Sequence, residues 1–154
     1  VVGAPAILLA LLLLTGGAPD KQPLPVRYWA IEASATGAEA PSFDADAKPI
    51  RTLLEDLRFD NFITLKHKAE SLALHQETKA ALTDRYTMGL RYGGLDATGR
   101  ARVVVTVMLV PEQSGDPPRK AVETTLLLAP RGTARVCGLR SKDKAEIIIV
   151  LARE

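Results

Sequence analysis

Apolar and polar positions alternate along much of this chain, and the places where the period changes mark its elements. Segment 26–33 (VRYWAIEA) alternates, carries the bulky Tyr28 and Trp29, and predicts a first strand. Alternation there also predicts that one of the two aromatics faces inward. Residues 34–48 are poor in bulk and rich in Ala, Gly, Ser, Pro and Asp, which reads as a loop. Pro49 then suits a first helical turn, where its missing N–H costs nothing. Ile50, Leu53, Leu54 and Leu57 follow at i, i+3, i+4 and i+7, with Arg51 and Glu55 four apart on the wet side. This spacing predicts a short amphipathic helix, which needs a sheet to bury its leucines.

Beyond Phe59 the period falls to two. Strands are predicted over 62–68, 71–76 and 85–92, the last with Tyr86, Met88, Leu90 and Tyr92 on one face. Gly93, Gly94, Asp96 and Gly99 form a turn before 102–110 (RVVVTVMLV). That segment is apolar on both faces except at Thr106, so it reads as a central strand covered on each side. After a loop over 112–120, three more strands are expected at 121–128, 134–137 and 145–151. Pro130 and Gly132, and then the polar turn 141–144, separate them. The order strand, helix, then six or seven antiparallel strands defines an α+β, mostly antiparallel β fold. It would be a sandwich or curled sheet with one short amphipathic helix.

The first residues obey a different logic. Segment 7–14 reads ILLALLLL, with Val1, Val2, Ala4 and Ala6 before it and Gly16, Gly17 and Ala18 after it. The chain turns polar at Asp20 and Lys21. That order is the apolar region and small-residue cleavage site of a signal peptide. We therefore expect a signal peptide at 1–18, containing a leader helix, and a single exported β-rich domain at 19–154, in the periplasm or cell envelope. Neither a basic start nor an initiating Met is present, so further residues upstream of Val1 are expected. The apolar stretch is marginal against the roughly 20 residues that span a bilayer, and Pro5, Gly16 and Gly17 shorten it. A retained anchor is the alternative, and membrane contact would then run only through that leader.

Composition narrows the function. The lone Cys137 excludes an internal disulfide, so stability must come from a core, which about 136 residues can supply. The net charge is +2, with bases scattered among acids and no basic run long enough for a nucleic-acid patch. No nucleic-acid partner is expected.

Candidate chemistry is sparse. His67 and His75 lie eight apart, with Glu70 and Glu77 near in sequence, but the spacing matches no metal motif. They read as surface histidines flanking a turn, and a small hydrolase using His67 or His75 is the remaining enzymatic alternative. Cys137 ends a predicted strand beside Arg135, which cannot act as a base, and reads as a small buried hydrophobe. There is no G-x-S-x-G and no phosphate-binding glycine loop. Asp44, Asp46, Glu55, Asp56 and Asp60 crowd the predicted helix, where Asp44 and Asp46 suit its N-terminus. Arg27, Tyr28 and Trp29 could form an aromatic binding stripe, although core packing explains them better. No catalytic, cofactor-binding or metal-binding residue is assigned, no cofactor is expected, and the chain reads as non-enzymatic.

Segment 121–153 (AVETTLLLAPRGTARVCGLRSKDKAEIIIVLAR) resembles the strand–turn–strand ending of the secretin family of secretion and pilus systems. Val122, Thr124, Thr125, Gly132, Gly138, Leu139 and residues 147–151 occupy comparable places, with Cys137 replacing a family glycine. The likeness covers roughly a fifth of the chain, and a whole pore domain together with its periplasmic modules does not fit in this length. It implies a secretin-like β-domain or a secretion-system accessory that forms multimers. The strand–helix–strand start, 26–68, is similar to small periplasmic ring-building modules, an analogy of fold only. The first expectation is an exported binding or structural domain of the bacterial envelope, working on protein partners through a sheet edge or face.

Overall fold

Nine strands form within residues 21–154, the part of the chain that this computed structural model describes; the expected signal peptide at 1–18 lies outside it. They are β1 (Leu24–Ser34), β2 (Ser42–Phe43), β3 (Asn61–Leu72), β4 (Glu77–Ala81), β5 (Tyr86–Leu95), β6 (Ala101–Leu109), β7 (Arg119–Leu128), β8 (Thr133–Arg140) and β9 (Glu146–Arg153). The domain is mostly antiparallel β in two sheets. One sheet has the order β2-β3-β1-β9-β8 and the other β4-β5-β6-β7. Every neighbour pair is antiparallel except β2 with β3.

A single apolar cluster joins the two sheets. The five-stranded sheet contributes Val26, Tyr28, Ala30, Ile147, Ile149 and Leu151, and the four-stranded sheet contributes Met88, Leu90, Tyr92, Val103, Val105 and Val107. Those positions recur at every second residue, as a pleat with one buried face requires. The Tyr28 hydroxyl is buried there without a hydrogen-bond partner. Burial pushes its pKa up, with Lys68 opposing and Glu70 adding to the rise.

The opposite face of the five-stranded sheet is also apolar, and the chain covers it with its own segment 43–59. Trp29, Ile31, Phe62, Ile148 and Val150 pack there against Ala47, Ile50 and Leu54. Tyr28 and Trp29 are therefore both buried, on opposite faces, in keeping with the core packing their pattern favoured, and they form no exposed aromatic stripe. Alternation correctly separated their faces but could not reveal that both would be covered.

The expected amphipathic helix is instead a 3-10 segment, Lys48–Leu53, and no α-helix occurs among the described residues. Ile50 N–H donates to Ala47 and Leu54 N–H to Arg51, both three residues back. Ile50 and Leu54 are still buried, as their spacing required. The segment is one strap tied to a sheet, too short for a helix to propagate.

Asp44 is its main clasp. Its carboxylate accepts from Thr64 N–H at 2.6 Å, Thr64 Oγ1 at 2.8 Å and Ala47 N–H at 3.0 Å. Burial works against its charge, but these donors outweigh it and hold the carboxyl below its ordinary 3.8. Further along, Arg135 of β8 donates to Asp56 at 2.6 and 2.9 Å and to the Leu53 carbonyl at 2.6 Å.

Two further expectations are corrected by the pairing. Segment 71–76 is not a separate strand: β3 runs to Leu72, and a turn follows before β4, a strand with no distinct pattern of its own. Segment 102–110 is not covered on both sides. Val103, Val105 and Val107 are buried, while Val104, Thr106 and Met108 remain partly exposed on the other face of β6.

Candidate interaction surface

The outer face of the four-stranded sheet carries what β6 leaves uncovered. Register aligns Lys79, Gly89, Thr106 and Glu123 in one row across β4, β5, β6 and β7, and Glu77, Arg91, Val104 and Thr125 in the next. Gly89, without a side chain, floors two adjoining shallow depressions of about 330 Å³ each. The Glu77 carboxylate lies over it, in the space a Cβ would need. The face is thus mixed, with Val104 and Met108 among basic, acidic and hydroxyl side chains.

Strand edges differ sharply in how they are protected. β2 has two residues and β4 has five. β8 is interrupted by a bulge, because Val136 pairs with Ile149 and Leu139 with Ile147, so Cys137 and Gly138 together face Ile148. Gly138 has φ 99°, which glycine alone adopts freely. β7 is different. A bulge at Ala121 and the charges of Arg119 and Lys120 blunt its start, but residues 122–128 (VETTLLL) run in unbroken register with β6. That run holds one charge, Glu123, and no proline. Such an edge is a template for strand addition. Its exposed Glu123, Thr125 and Leu127 point to the outer face, and Val122, Thr124 and Leu126 turn toward the core. Leu127 is 44% exposed, a large apolar side chain in water at the edge itself.

The residues that drew attention in the sequence are scattered. His67 lies in β3 and stacks on Trp29 with ring centroids 4.5 Å apart, while its Nδ1 is 3.8 Å from Asp46. The Trp29 indole donates to the Asp46 carbonyl at 3.0 Å. His67 is therefore half-buried under the strap and not an open surface histidine. His75 occupies the turn after β3 at φ 61°. Glu70 pairs with Lys68 at 2.8 Å. No group of three metal-ligating side chains occurs among the described residues.

Cys137 is exposed, which corrects the expectation of a buried hydrophobe. The bulge adds a residue and turns the thiol out of the core. Its surroundings still desolvate the thiolate and push the pKa up, with Arg135 opposing and Glu146 and Asp56 adding to the rise. Asp46, expected near a helix N-terminus, instead touches His67, and Asp60 caps the turn 36–38 through three backbone N–H groups and the Thr36 hydroxyl. Those donors, led by Thr36, hold Asp60 below its ordinary range.

One more hollow, about 500 Å³, lies beneath the loop before β7. Arg85 and Arg119 line it together with Glu112 and Asp116, so the opposing charges favour no single ligand sign. Sequence reasoning missed β7 as an edge because edge position depends on which strands pair, and 121–128 reads the same in a sheet centre. No protein-family model matches the chain, and no curated protein or solved structure matches it.

Proposed function

We propose that residues 19–154 form a β-sandwich that serves as an exported, non-enzymatic binding or structural domain of the bacterial envelope, recruiting protein partners by strand addition at β7. The observation that carries this reading is the run 122–127, without bulge or proline and bounded by Leu128, whose carbonyl accepts from Arg153, beside three edges that are short or bulged. Strand addition draws affinity from main-chain hydrogen bonds and selectivity from alternate side chains. On β7 the alternate positions divide cleanly, apolar or threonine toward the core and polar or leucine outward. The leader-like start supports export, and the half-exposed Val104 and Met108 supply apolar surface beside the edge.

Lysine at outward edge positions blocks strand addition without touching the core. The double substitution Thr125→Lys with Leu127→Lys should therefore abolish capture of a partner from a cross-linked envelope fraction. Its far-ultraviolet circular dichroism and thermal midpoint should stay at wild-type values. Undiminished capture by the folded double variant would remove β7 from the function.

A further inference from the structure

We infer that the hollow beneath the loop before β7 binds a zwitterionic ligand, a short peptide with free amino and carboxyl termini. The site is separate from the run 122–127 and does not depend on the reading of β7 as a binding edge.

The hollow, about 500 Å³, lies where three strands end side by side. Tyr86 of β5, Leu109 of β6 and Arg119 of β7 stand in one row of the sheet. Arg85 precedes β5 and is tied to the same end, because Val110 N–H donates to its carbonyl at 2.7 Å. Arg85 and Arg119 therefore flank the end of β6 from its two sides, their backbones about two strand spacings, roughly 10 Å, apart. From Val110 the chain loops through Glu112 and Asp116 before it enters β7, and Pro111, Pro117 and Pro118 restrict its backbone. Leu109, Val110 and the first two of these prolines give the hollow an apolar lining.

Four charged side chains, Arg85, Arg119, Glu112 and Asp116, thus surround one space. None of them forms an ion pair among the described residues. Two guanidiniums and two carboxylates face the hollow without neutralising one another. A simple anion would be drawn to the arginines and repelled by the carboxylates, and a simple cation would meet the reverse. A ligand with both charges satisfies both pairs. Its carboxylate accepts from the guanidinium forks, and its ammonium group donates to Glu112 and Asp116. The volume falls within the range of small-molecule sites, with room for a di- or tripeptide, and the apolar lining suits an aliphatic side chain.

Isothermal titration calorimetry with the tripeptide Ala-Leu-Ala tests the site, comparing the free peptide with its N-acetylated and its C-amidated forms. The expected result is saturable binding of the free peptide, weakened about fivefold or more by either block. Arg85→Gln with Arg119→Gln should erase the difference between the free and amidated peptides. Glu112→Gln with Asp116→Asn should erase the difference between the free and acetylated ones. None of the four side chains is buried, so the thermal midpoint of both double variants should match wild type. Equal affinity for all three peptides, or no saturation by about 10 mM, overturns the proposal. Discrimination that survives both double variants overturns it as well. Thr125→Lys with Leu127→Lys should leave peptide binding intact; loss of binding in that variant would place the peptide on the β7 edge instead and remove the hollow as its site.

Discussion

Removing the Asp44 carboxylate should loosen the strap and destabilise the whole domain. Asp44→Ala deletes three charge-assisted acceptances, from Thr64 N–H at 2.6 Å, Thr64 Oγ1 at 2.8 Å and Ala47 N–H at 3.0 Å. A hydrogen bond to a charged group contributes about 1.5–3 kcal/mol, but the site is partly open and water can replace some of what is lost. The expected cost is about 2–4 kcal/mol, which for a domain of this size lowers the thermal midpoint by about 10–15 °C. Trp29 is the one tryptophan and lies beneath the strap, so its fluorescence reports on this region directly.

Asp44→Asn separates charge from shape. The folded-state pKa of Asp44 is depressed, so its contribution is present above the ordinary 3.8 and is lost as the pH falls through the folded value. The stability difference between wild type and Asp44→Asn should be constant near neutral pH and shrink under acid. An Asp44→Ala protein that melts within about 2 °C of wild type would refute the role of this clasp.

Tyr28→Phe should raise stability by about 1–2 kcal/mol, because it deletes a buried hydroxyl without a partner while keeping the ring; a destabilised variant in urea titration would show that the hydroxyl has one. Gly132→Ala should cost about 1–3 kcal/mol, since its Cβ would stand 2.8 Å from the Ala129 carbonyl oxygen and 3.0 Å from the Ala129 nitrogen, both rigid backbone. A midpoint unchanged by that substitution would mean the turn relaxes freely. Cys137 should react with maleimide in the native protein, but more slowly at neutral pH than a thiol in an unfolded peptide, because its pKa is raised. Protection from the reagent until unfolding would contradict the outward bulge.

Strand identity was largely legible because alternation is a local property. Tyr86, Met88, Leu90 and Tyr92 all reach the core as their spacing required. What depended on pairing was hidden. β4 (ETKAA) has almost no hydrophobic signal and exists because it lies beside β5. Ile50 and Leu54 gave the right buried face, yet helix pitch was decided by Asp44 and Asp46 tying the segment to β3 and Trp29. Segment 102–110 looked covered on both sides because Val104 and Met108 are apolar, and only the layer order leaves them partly open. The candidate site was legible as a kind, a sheet edge or face, but not as a place. Gly138 hinted at an irregular strand end, while a two-versus-one bulge became visible only in the register of β8 with β9.

Amide hydrogen exchange read residue by residue, with and without an envelope extract, tests most directly whether β7 is the working edge. Alternate amides within 122–128, those whose N–H groups point away from β6, should exchange freely in the isolated chain and become protected in the presence of the extract. Protection elsewhere should stay constant. Identical exchange along β7 with and without the extract, or protection gained at β4 or β8 instead, would contradict pairing through this strand.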